Sequence, residues 1–181
     1  MLKKILLAVL GVVLVLQFFR PEKNLSDDNT HAIASKYGVP KQVNDLLQAA
    51  CYDCHSNKTV YPWYANVQPL GWWIAEHVED GKEDLNFSEF TNLPLAVQNH
   101  KLDEVIEVLE EGEMPLESYT YLGLHPEANL NSEQKDVLMV WAKDQMAYLK
   151  ATYPADSLKM KMRKSKSEEH EREQDHERDD D

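Results

Sequence analysis

Apolar residues along the chain fall into one continuous run followed by a series of helical stripes. Residues 5–19 are uncharged and strongly apolar, behind Lys3 and Lys4. Beyond them, apolar positions recur at spacings of three and four, the period of a helix with one buried face. Pro40 sits where a first helical turn accepts proline, and Val43, Leu46, Leu47 and Ala50 then share a face that leads straight into Cys51. A second helix is predicted over residues 69–78, with Leu70, Trp73, Ile74, His77 and Val78 on one stripe and Gly81 ending it. A third is predicted over residues 99–111, turning Leu102, Val105, Ile106 and Leu109 inward and stopping at Gly112. The last follows Asn131 or Ser132 as N-cap and buries Val137, Leu138, Trp141 and Tyr148. No stretch alternates as a half-buried strand does, so the expected fold class is all-α.

The 181 residues suffice for one compact domain with extensions. The apolar run at residues 5–19 reads as an uncleaved signal anchor covering residues 1–20, because Leu16-Gln17-Phe18-Phe19-Arg20-Pro21 lacks the small residues of a peptidase site. Its fifteen residues reach roughly 22 Å as a helix, short of the ~30 Å hydrocarbon core. Met1, Leu2 and the snorkelling Lys3 and Lys4 make up most of the difference. The basic flank stays in the cytoplasm, leaving the rest of the chain outside the inner membrane, in the periplasm. Residues 21–30 are polar and aperiodic and read as a tether, residues 31–153 as the folded domain. From residue 154 the chain turns charged, basic over 159–166 and mostly acidic over 167–181, a tail with too little apolar surface to order itself. His170 and His176 lie in it with no partner residues that would make a specific metal site. The formal net charge of −13 excludes a nucleic-acid binder, which needs a basic face.

Chemistry concentrates in Cys51-Tyr52-Asp53-Cys54-His55. Thiols at this spacing can add to the two vinyl groups on one edge of a haem, and the adjacent His then lies under the iron as proximal ligand. A dithiol redox pair would need a thioredoxin-like βαβ setting that this pattern does not offer. A zinc site would need further ligands, and the chain has no other cysteine. A disulfide between the two cysteines is the remaining alternative. With an export segment ahead of it, the motif predicts one covalently attached haem c.

The sixth position on the iron decides what such a haem does. Met114 is the first candidate, following Gly112 and Glu113 at a helix end and preceding Pro115. His125, before Pro126, and His77, on an apolar stripe, are the alternatives, whereas His31 and His100 fall at helix starts and need no role. Tyr61, Trp63, Tyr64, Trp72 and Trp73 offer walls for a flat macrocycle, with the Trp63 or Trp72 indole N–H a candidate contact for a propionate.

A helix entering CxxCH, a Met-Pro loop and a closing helix at Leu130-Asn131-Ser132-Glu133 resemble the class I cytochrome c plan. More closely, CYDCHSNKTVYPWYANVQPLGWW, HVEDGKEDLNFSEF and GEMPLESYTYLGLHPEANLNSEQ resemble the bacterial haem-binding domain family, met in Bacteroidetes as short membrane-anchored proteins. The resemblance spans roughly residues 31–148. It implies a cytochrome-like haem domain with Cys51 and Cys54 as attachment points, His55 as proximal ligand and Met114 in the family's Met-Pro position. It supplies no reaction. The expected function is therefore single-electron transfer with an unidentified redox partner protein at the outer face of the inner membrane. The rivals are a haem enzyme or gas sensor with an accessible distal side, and a haem-stabilised interaction module. Peroxidase chemistry lacks a distal His-Arg pair, because Arg20, Arg163, Arg172 and Arg178 all lie outside the domain.

Overall fold

The computed structural model describes residues 1–160. Seven α-helices are formed there: α1 (Leu2–Leu16), α2 (Lys41–Ala50), α3 (Tyr52–His55), α4 (Leu70–Asp84), α5 (Leu95–Glu111), α6 (Glu117–Thr120) and α7 (Ser132–Thr152). Short 3-10 turns link them, and the one β-type contact among the described residues is an antiparallel bridge between Leu25 and Lys58. The expected all-α class holds. Residues 161–181, with His170 and His176, lie outside the described residues.

Prolines and one capping box set the helix starts. Pro40, Pro69 and Pro94 occupy the N-caps of α2, α4 and α5, where a missing N–H costs no helical bond. At α7 the Asn131 side chain accepts from the Gln134 backbone N–H while the Gln134 side chain accepts from Asn131, a reciprocal cap. The core forms where α5 lies on α7 and α2 closes the side: Leu47, Leu102, Leu138 and Leu149 are fully buried, with Phe90 and Ile33 from the turns beside them. Each such side chain contributes about 1.5–3 kcal/mol through burial. Two polar groups inside are paired: the Trp141 indole donates to Gly38 O at 2.8 Å, and the Tyr37 hydroxyl donates to Gln98 Oε1.

The structure departs from the periodicity in five places, one of them at α7, where Leu149 takes the buried position expected of Tyr148, which is exposed. Helix α4 runs on through Gly81 to Asp84, and what it buries is Gly71, Val78 and Gly81, while Leu70 and Trp73 of the predicted stripe stay exposed. Helix α5 begins four residues before Asn99, its Gln98 buried against the turn it caps. Residues 21–30 are a strap, not a free tether. Asn24 donates to Ser56 O and accepts from Lys82 Nζ, and the backbones of Asn24 and Ser26 pair with Thr59 and Asn57. Finally, Leu158, in the turn Ala155–Leu158, packs against the core, carrying the fold past the boundary at Tyr153.

Helix α1 buries none of its residues, yet its end is joined to the domain. Gln17 donates to Gln68 O at 3.1 Å and accepts from Gln68 N at 3.0 Å, and the Trp72 indole donates to Phe19 O at 2.7 Å. Among the described residues no helix is long and apolar enough to cross a membrane.

Phe90→Ala should cost about 3–5 kcal/mol, the range for emptying an aromatic core position, because Phe90 is completely buried and stacks edge-on against Tyr37. Denaturant unfolding followed by circular dichroism checks this as a lower midpoint at unchanged slope.

Candidate functional site

Helix α2 delivers the motif and the next turn folds it. The Cys51 N–H closes on Leu47 O, and the N–H groups of Cys54 and His55 both return to Cys51 O, at 3.2 and 2.9 Å. The turn is fixed from several sides. Asp53 accepts from Val60 N through one oxygen and from the Tyr119 hydroxyl, at 2.7 Å, through the other. Burial and this bond both raise the Tyr119 pKa, so its hydroxyl keeps the proton it donates. Behind the turn, α4 approaches so closely that a Cβ on Gly81 would lie 3.0 Å from Cys54 O and 3.1 Å from Cys54 Cβ.

His55 is oriented by backbone. Its Nδ1 lies 2.9 Å from Leu85 O, and its own carbonyl accepts from Phe87 N. A carbonyl only accepts, so Nδ1 carries a proton, and in the neutral ring Nε2 is then the atom with the free lone pair. A bond from the far ring nitrogen to a carbonyl sets the ring orientation and raises the basicity of a ligating imidazole.

The ring faces a crevice with two lobes. One, of about 370 Å³, is walled by Leu47, Val105, Leu109 and Leu138; the other, of about 220 Å³, reaches Cys54, His77, Gly81 and Tyr119. Cys51, His55, Met114 and Pro115 border both. Helix α5 ends at Gly112, whose φ of 77° is left-handed, and the N–H groups of Glu113 and Met114 turn back to Val108 O. Both cysteines are free thiols. Burial pushes Cys51 up to about 12, with Cys54 adding to the shift, and pushes Cys54 up to about 11, with Asp53 adding. Such thiols are protonated near neutral pH, unlike the low-pKa cysteine of a dithiol oxidoreductase.

The structure thus brings Cys51, Cys54, His55 and Met114 to one crevice, with His77 on its smaller lobe, and separates His125 from them. His125 lies in a third pocket without His55, its Nε2 3.0 Å from the Tyr64 hydroxyl and its Nδ1 3.3 Å from Glu127, and its ring stacks on Tyr119. His77 borders the smaller lobe, with Nδ1 2.8 Å from Trp73 O. His31 and His100 border neither lobe. Nor do Trp63 and Trp72, and the Trp72 indole is committed to Phe19. Leu85, Gly81 and Tyr119 escaped the sequence reading. Leu85 contributes only a carbonyl, Gly81 is indistinguishable by sequence from a helix stop, and Tyr119 carries no pattern of its own.

A family model for the haem-binding domain matches residues 11–144. The chain belongs to the haem-binding domain family. No curated protein and no solved structure matches it. The donor set fits the group this haem-binding domain takes: an imidazole with a free Nε2, a thioether on the same crevice, two unpaired thiols at its edge and a largely apolar wall.

Gly81→Ala in this haem-binding domain should cost about 1–3 kcal/mol, as overpacking does, and lower the haem bound per chain, because the methyl meets Cys54 backbone. Gly38→Ala, with nothing within 4 Å of its Cβ, should leave both unchanged. Thermal melts and the haem-to-protein absorbance ratio decide.

Proposed function

We propose that the chain is a membrane-anchored, periplasm-facing monohaem c-type cytochrome-like protein that transfers single electrons. The observation that carries this reading is the pair of unpaired thiols on one helical turn, beside an imidazole whose Nδ1 is already bonded and on the same crevice as Met114. Cys51 and Cys54 would each hold haem through a thioether, with His55 and Met114 on the iron. When bound, haem c supplies a one-electron iron couple, and methionine ligation raises its potential relative to two histidines.

The chain's own residues do the rest. Leu85 O holds the imidazole in one tautomer and orientation, in which Nε2 would be the atom offered to the iron. The Val108 carbonyl, receiving the N–H groups of Gly112, Glu113 and Met114, fixes the backbone of Met114. Leu47, Val105, Leu109 and Leu138 line the larger lobe with apolar surface, which would lower the dielectric around a bound haem. Helix α1, apolar and unburied, would insert in the inner membrane behind Lys3 and Lys4 and keep the domain beside membrane redox partners. The net charge of −13 suits steering toward a basic partner protein.

The ferric spectrum tests the ligand pair. Wild type should show a thioether-to-iron charge-transfer band that Met114→Ala abolishes, with a lower reduction potential, while His77→Ala and His125→Ala retain the band. A spectrum unchanged in Met114→Ala contradicts the assignment. Rapid, full binding of carbon monoxide by the reduced wild type would instead favour an accessible distal side and a haem enzyme or sensor.

A further inference from the structure

Helix α4 was expected to bury the stripe of Leu70 and Trp73, and it does not. Both are exposed, and with them Val67 and Trp63, the latter 79% exposed and its indole without a hydrogen-bond partner among the described residues. These four side chains come from one short stretch, the 3-10 turn Trp63–Asn66 and the start of α4. That stretch is also the part of the domain to which the end of α1 is bonded. Gln17, the C-cap of α1, makes its two bonds to the backbone of Gln68, and Phe19 receives the Trp72 indole.

We propose that Trp63, Val67, Leu70 and Trp73 seat the domain on the membrane surface, in the headgroup region around the exit of α1. The proposal rests on the reading of α1 as a membrane anchor. Given that, Val67 and Leu70 lie close to the bilayer, with Trp63 and Trp73 five residues from Gln68 on either side. Val67 and Leu70 are at most two Cα steps from Gln68, within about 8 Å of it along the chain. The interfacial zone on each side of a bilayer is itself about 5–8 Å deep. Helix α1 is short by roughly a turn and a half against the hydrocarbon thickness, so mismatch draws Gln17, Phe18 and Phe19, and the segment bonded to them, toward the bilayer. Two tryptophans with aliphatic neighbours are the composition of an interfacial belt. Arg20 and Lys23, on a chain of net charge −13, put cations at the same junction, where anionic headgroups attract them.

The consequence is a domain laid against the membrane in one orientation, not one swinging on a leash. The strap at residues 21–30, pinned to Ser56, Asn57 and Thr59, leaves no free chain for such a swing.

The test uses the full-length, haem-loaded protein in vesicles of phosphatidylethanolamine and phosphatidylglycerol. Single nitroxide labels are placed through Trp63→Cys, Leu70→Cys, Leu10→Cys and Lys143→Cys, and their collisions with oxygen and with a water-soluble nickel chelate are compared. An unchanged haem spectrum verifies each fold. Labels at 63 and 70 should be several-fold less accessible to nickel than the label at 143, and shallower than the label at 10. If the label at 10 is embedded while those at 63 and 70 are as accessible as that at 143, the seating is overturned and the anchor stands. A label at 10 in water overturns the anchor, and the seating with it. Strong spin–spin broadening at 63 would place a second copy on this face and also overturns the proposal.

Discussion

The hydrogen bond from His55 Nδ1 to the carbonyl of Leu85 ties the site to the fold. Leu85 is the C-cap of α4, its N–H closing on Gly81 O. Gly81 in turn is the point at which α4 rests on Cys54. One helix end therefore supplies both the contact behind the cysteine turn and the acceptor that orients the imidazole. The next residues continue the brace, since Phe87 N–H returns to the His55 carbonyl. Moving α4 would misplace the thiols and the histidine together.

Another wall of the crevice is also built from a helix end. Helix α5 supplies Val105 and Leu109 as wall, then stops at a left-handed glycine and turns its next two N–H groups back on Val108. Met114 is thus positioned by the end of a helix whose other residues form the main core with α7. Stability and site geometry share the same interface. The smaller lobe is braced separately, by Tyr119 on Asp53 and by His125 stacked on Tyr119.

Much of this was legible in the residues. The cysteine spacing, the proline starts of α2 and α4, the Asn131 cap, the apolar faces of α2 and α5 and the Leu138 and Trp141 positions of α7 follow from local chemistry, whereas at the end of α7 Leu149 is buried in place of Tyr148. The failures share one cause. At α4 two of the three buried residues are glycines, which approach backbone closely, so that of the predicted apolar stripe only Val78 is buried. At residues 21–30 the ordering comes from polar side chains such as Asn24 reaching distant carbonyls, and polarity without period reads as a free linker. The acceptor for His55 is main chain, which no residue type announces. Of the two histidines that rivalled Met114, the contacts of His125 remove it from the crevice, and nothing in its flanking sequence could have done so.

The central claim is that one haem is covalently held at Cys51 and Cys54 against His55. Its most direct test is the intact mass of the full-length protein after extraction with acidified organic solvent and treatment with an alkylating reagent under denaturing conditions. The expected mass is that of the chain plus one haem, with no alkylated thiol. A haem-free chain carrying two alkyl groups would contradict it.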